Sequence, residues 1–148
     1  MKHIPQSTIT RNRKLILDRW MGAGLELFTG TMASSSPAGE TLAGAMGLVL
    51  DDFDGRKGDC AEGIGGIARF LAIQQLPPSR SLTLFGALEK IIGELLHDDA
   101  ERQAVRGRVQ QLLLEAFDRF MESREILYRM KVEESQRKMH MLLRRAVS

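Results

Sequence analysis

At 148 residues, 43% hydrophobic and 27% charged, the chain has the make-up of an ordinary folded domain and is long enough to bury roughly 70% of its unfolded surface without a second domain. A net charge of +2, with basic residues only mildly gathered at Arg11, Arg13, Lys14 and Arg19 and at Arg137, Lys138, Arg144 and Arg145, does not demand nucleic acid, and the single cysteine, Cys60, excludes an intramolecular disulfide framework. No apolar run approaches the ~20 residues of a membrane span, and the opening MKHIPQSTITRNRK has no apolar signal core, so a cytoplasmic protein without membrane contact is expected.

In chain order, the first predicted helix runs from Ser7 to about Phe28, because Leu17, Trp20, Met21, Gly24 and Phe28 repeat on one face, with Gly24 leaving a notch. The loop GTMASSSPAG follows, and in it Ser36 and Pro37 stand as an N-cap and a first helical residue should. A second helix extends to about Phe53, carrying Leu42, Ala45, Met46, Val49 and Phe53 at helical spacing. Within the irregular stretch DDFDGRKGDCAEGIGG, Asp59 with Glu62 carries the polar pattern of a helix start. The third helix then reaches about Gln75, with Ile64, Ile67, Ala68 and Leu71 as its buried face and Phe70 and Ile73 widening the arc. It stops before Pro77 and Pro78, since a residue preceding proline is pushed out of the helical region. Ser79 is expected to cap the fourth helix, which is apolar nearly all round from Leu82 to Leu96 and so marked as the central element. Asp98 with Glu101 opens the fifth.

That fifth helix is unbroken from Asp99 to about Ala146 and would be a rod of roughly 70 Å, whereas a domain of about 100 residues has a radius of gyration near 13 Å. It must overhang its own domain. Its first half is written for burial, with Val109, Leu112, Leu113, Ala116, Phe117, Phe120 and Met121 at i, i+3, i+4, i+7 spacing. From Arg129 the pattern thins to Val132, Met139 and Leu142 or Leu143, while Glu133–Arg137 and Glu134–Lys138 stand in the stabilising i,i+4 order. No stretch alternates with period two. The expected fold is therefore all-α, residues 1–148 forming a single bundle of about five helices, with a core of about 8–128 and a projecting helix of about 129–146.

Several stretches imitate chemistry. Gly63, Gly65 and Ala68 have the spacing of a dinucleotide-binding turn, but no strand feeds them, and small residues at a close helix crossing explain them better. Asp51, Asp52, Asp54 and Gly55 resemble a calcium loop, yet aligning Gly55 with the loop glycine puts Leu50 and Ala61 at ligand positions, so a solvated loop is expected. His3, His97 and His140 stand in separate elements without metal-ligand spacing, and Cys60 has no base in view. Neither a metal, a cofactor nor a catalytic residue is expected, and the protein is read as a non-enzyme.

Polar and aromatic residues along apolar faces are the better candidates. Arg69, Gln74 and Gln75, with Trp20 and Phe85, would line a small-molecule pocket between helices, if they are not simply a half-buried rim and core. Phe120, Arg124, Tyr128, Val132 and Met139 are the candidate partner or dimer interface on the long helix, although Phe120 serves equally well as core.

The passage from Ile67 to Ser79, with Gln74-Gln75 and Pro77-Pro78, then Phe85 and Leu88-Glu89-Lys90, and later Ala116 to Tyr128 with Ser123-Arg124-Glu125, resembles the RsbT co-antagonist RsbRD N-terminal domain family. Trp20 and Ser36-Pro37-Ala38-Gly39 resemble its opening helix and first loop, so the likeness spans about Leu15 to Lys138. It implies a bacterial helical sensory or regulatory module that passes information through a C-terminal linker helix to a phosphorylatable STAS domain. Gln75 stands where that pattern has an acidic residue, and Ser123 where cysteine is frequent. As the chain ends at Ser148 with no STAS domain following, the resemblance implies a stand-alone module of stress-response signalling. The expected partners are a second copy, as a homodimer through the long helix, and a STAS-domain or switch-kinase protein. A ligand-binding sensor is the alternative, and a nucleic-acid-binding helical protein is a third reading, set back by Glu133 and Glu134 in the basic tail.

Overall fold

In the computed structural model, which describes residues 3–28 and 35–147, every regular element is helical: α1 (Gln6–Arg11), α2 (Arg13–Leu27), α3 (Pro37–Asp51), α4 (Asp59–Ile73), the single turn α5 (Pro78–Ser81), α6 (Thr83–Glu94) and α7 (Asp99–Val147). The expected all-α fold is what the chain adopts. Helices α2, α3, α4, α7 and α6 pack in a closed ring, each on the next and α6 back on α2, around one core.

Local chemistry explains most boundaries. Ser36 accepts a hydrogen bond from Gly39 N–H at 3.1 Å and Pro37 opens α3, as their residue types require. The rest of that loop, 29–34, lies outside the described residues. Asp98 likewise starts α7, its carboxylate accepting from Ala100 N–H at 3.0 Å. The single helix expected over Ser7–Phe28 is instead two. At Asn12 the backbone leaves helical geometry, and its side-chain amide donates to Thr8 O at 2.9 Å, closing the first segment. Gln6 then ties α1 to the end of α3 by donating to Leu50 O and accepting from Asp54 N–H.

Several expectations about the middle of the chain are corrected. Helix α4 begins at Asp59, where the polar pattern placed a helix start, and its cap position is Gly58, whose φ of +95° suits a residue without a Cβ. The free N–H groups there are taken up from a distance by Asp52, which accepts from Lys57 N–H at 3.0 Å and Cys60 N–H at 3.2 Å. Asp52 is accordingly buried, not part of a solvated loop. Ser79 does not cap α6 either, because the two prolines first produce the turn α5, and α6 begins only at Thr83. Nor is α6 central. It buries Leu84, Phe85, Leu88 and Ile92 on one face, while α4 buries nine of its residues between α3 and α7.

The reason is the small residues of α4. A Cβ at Gly63 would stand 2.5 Å from Ala45 O and 2.9 Å from a Val49 methyl, so α3 and α4 touch backbone to side-chain stem, a distance only glycine allows. The dinucleotide-like spacing is thus a helix crossing in mid-helix. On α7 the inner face, Val105, Val109, Leu112, Ala116 and Phe120, is buried by α4 and α6. Beyond Leu127 every described side chain is exposed, so of a helix about 73 Å long the last ~30 Å stands clear of the domain.

Candidate functional site

The site lies where α7 leaves its core. Continuing the buried face outward from Phe120, the next positions on that side are Arg124, Leu127 and Lys131, at i+4, i+7 and i+11. Opposite them runs the connection 72–77, which leaves α4 before the prolines. Arg124 joins the two. Its Nε donates to Ala72 O at 2.8 Å, and one terminal nitrogen donates to Gln74 O at 2.7 Å and Leu76 O at 2.8 Å. The guanidinium lies over the Phe120 ring, 4.7 Å from its centroid. A helix C-terminus leaves carbonyls without intrahelical partners, and a cation there also meets the negative end of the helix dipole. Arg124 therefore caps α4 from another helix.

Between connection and helix runs an open groove of about 470 Å³, lined by residues 72–77 and by Arg124, Leu127, Tyr128 and Lys131. A second, of about 410 Å³, lies across Gln74–Leu76 against Leu27, Phe28 and Arg80. Neither has a carboxylate in its lining, and the charged groups present, Arg124, Lys131 and Arg80, are all cationic. Ile73, 67% exposed, faces both grooves instead of widening the core face of α4. On the other side of Arg124 and Tyr128 a depression is lined by Asp118, Glu122 and Glu125, so the two sides of α7 at this level carry opposite charge.

Of the predicted pocket residues, Gln74 and Gln75 are in the groove. Trp20 and Phe85 are not; both are fully buried, edge to face at 6.3 Å, with Trp20 Nε1–H donating to Leu84 O at 2.8 Å. Arg69 is exposed on α4 beside Gly65 and Gly66, away from the groove lining. Of the predicted interface residues, Arg124 and Tyr128 line the groove, and Phe120 is core under Arg124. Val132 and Met139 stand exposed on the overhang, Met139 at 60%. Pocket and interface candidates thus converge on one place, Gln74 and Gln75 facing Arg124 and Tyr128. Leu127 and Lys131 were missed by the sequence reading, although their helical spacing from Phe120 points to them.

Elsewhere, no group of three His, Cys, Asp or Glu among the described residues could hold a metal ion. Cys60 is buried, and that burial pushes its thiol up to about 11 despite Arg108 beside it at 3.7 Å. Arg108 also donates to Phe53 O at 2.7 Å, holding the α3–α4 connection against α7. Among the described residues no helix is long and apolar enough to cross a membrane.

Fold and groove together define an all-α domain whose projecting helix is walled at its root by the end of a second helix. A protein of Archaeoglobus fulgidus described as uncharacterized is 28% identical over 95 residues, covering 63% of each chain, so this chain spans less than two thirds of that relative. No protein-family model matches the chain, and no solved structure matches it.

Proposed function

We propose that the chain is a non-enzymatic regulatory module of the stress-response co-antagonist type, working in the cytoplasm by protein–protein contact through α7. The observation that carries this is the overhang. A helix that continues for about 30 Å past its last core contact, with Tyr128, Val132, Met139 and Leu142 all exposed, presents apolar surface that none of the described residues covers. The pathway comes from the family resemblance, whose Arg124-Glu125 and Gln74-Gln75 segments meet at the root of that helix. The partner is a STAS-domain or switch-kinase protein, as the resemblance implies, or a second copy.

The test is affinity capture of the tagged full chain from cytoplasm, beside a chain stopped at Arg129, followed by mass spectrometry. Recovery of signalling proteins by the full chain alone is expected; identical recoveries would refute the role of α7. The two cation-lined grooves favour one second reading, a sensor of small anionic or amphipathic ligands. A metabolite bound there at 100 times its dissociation constant would add ~2.7 kcal/mol of stability in a thermal-shift panel.

A further inference from the structure

Beyond Glu125 the exposed face of α7 has a defined pattern. Tyr128, Val132, Ser135, Met139, Leu142 and Ala146 alternate steps of four and three residues, the spacing of a seam that packs against another helix. One edge of this seam is Lys131, Lys138 and Arg145, recurring with the heptad from Arg124 inside the groove; the other is Arg129, paired with Glu125 at 2.7 Å, then Gln136 and Leu143. Between Ile126 and Val147 six Lys and Arg stand against two Glu, Glu133 and Glu134, and both carboxylates lie off the seam. Lys131 has no ion-pair partner among the described residues, and the internal pair Glu134–Lys138, at 3.4 Å on the surface, is of the weak kind.

A second copy fits this surface poorly. In an antiparallel pair each edge faces the same edge of the other copy, so the cationic column meets itself; in a parallel pair Lys131 faces Gln136 and Lys138 faces Leu143, so the cations gain no opposite charge. A flat anionic bilayer could take the tail but not the groove, which is walled by the connection 72–77 and continuous with the cationic edge through Lys131. A cylinder with an apolar stripe and a carboxylate edge satisfies both parts.

Resting on the partner-binding reading above, we propose that the groove at the root of α7 and the seam running out from it form a docking site for an acidic amphipathic helix of another protein. Its apolar stripe lies on Tyr128, Val132, Met139 and Leu142, and its carboxylates meet Lys131, Lys138 and Arg145.

The test uses the full chain and fluorescein-labelled three-heptad peptides read by anisotropy: a Leu/Glu amphipathic helix, the same composition scrambled so that no apolar face forms, and a Leu/Lys helix. Phosphatidylglycerol vesicles and sedimentation velocity of the chain alone complete the set. The Leu/Glu helix is expected to bind at least about tenfold more tightly than either other peptide, to weaken with added salt, and to weaken about tenfold in the double variant Lys131→Glu, Lys138→Glu. Both positions are exposed, so the variant should melt like the parent; Tyr128→Ala should weaken binding without changing its salt dependence. Equal binding of the scrambled or Leu/Lys peptide overturns the proposal. So does preferential binding to vesicles, or self-association that the double variant strengthens and that excludes the peptide. Failure here with tail-dependent capture intact overturns the acidic-helix assignment alone and leaves partner binding standing.

Discussion

Replacing Arg124 with methionine keeps an unbranched apolar side chain at that position while the hydrogen-bonding fork, and with it the charge over the Phe120 ring, is lost. Three carbonyls then lose their donor, those of Ala72, Gln74 and Leu76. Ala72 is buried, so its carbonyl is left unsatisfied at a cost of about 1–3 kcal/mol. Gln74 and Leu76 are half-buried and water can replace the guanidinium there, which leaves about 0.5–1 kcal/mol for each. The lost contact of charge with the Phe120 ring adds about 0.5–1 kcal/mol. The sum is about 4 kcal/mol at the middle of these ranges, and at roughly 2–4 °C per kcal/mol for a chain of this size the midpoint should fall by about 8–16 °C. Arg124→Lys keeps the charge but not the fork, and should lose at least half as much. Thermal melts by circular dichroism give the midpoint, and hydrogen exchange gives the locality, since protection should drop in residues 70–77 before it drops in α3. A fall of less than about 2 °C, or unchanged exchange at the end of α4, would refute the idea that Arg124 fastens α4 to α7.

Two glycines should respond in opposite directions. Gly63→Ala forces a methyl against Ala45 O and should cost about 1–2 kcal/mol net of its helix-propensity gain. Gly24→Ala meets nothing closer than a Leu42 methyl at 3.4 Å and should stabilise by about 0.5–1 kcal/mol; equal signs in denaturant melts would contradict the packing. For Asp52, burial alone would raise the pKa, but the N–H groups of Cys60, Lys57 and Gly58 more than offset it, so the folded value lies below the ordinary one. Its stabilisation is then complete above the unfolded pKa of ~3.9 and disappears as pH falls through the lower folded value. Asp52→Asn should flatten that acid limb in urea titrations, and a limb unchanged in the variant would sink the assignment. Cys60, with its thiol raised to about 11, should resist iodoacetamide at neutral pH until the chain unfolds; rapid labelling of the native protein would show that it is not enclosed.

How much of the site could be read from residues alone differs from one side of the groove to the other. Gln74, Gln75, Arg124 and Tyr128 stand out as polar interruptions at the border of apolar stripes, a one-dimensional signal. That they face one another does not follow from either stripe, because some fifty residues separate them and only the closure of the helix ring brings the end of α4 beside α7. Trp20 and Phe85 show the converse. An aromatic on an apolar face is equally compatible with core or pocket, and the packing of α2 on α6 makes these two core.

The sequence by itself determined the all-α class, the start of α3 at Ser36-Pro37, the start of α7 at Asp98 and the overhang of α7, because helical periodicity, capping and rise per residue are local properties of a few neighbouring side chains. Only the tertiary structure decided that Asp52 satisfies the start of α4, that Arg124 satisfies its end, and that α4 rather than the more uniformly apolar α6 lies between two neighbours. The physical reason is common to all three. Periodicity says which face of a helix must leave water, but what covers that face, and which distant polar group completes an unfinished helix end, depends on how closely the backbones approach. In this chain that approach is set at the glycine-lined crossing of α3 and α4.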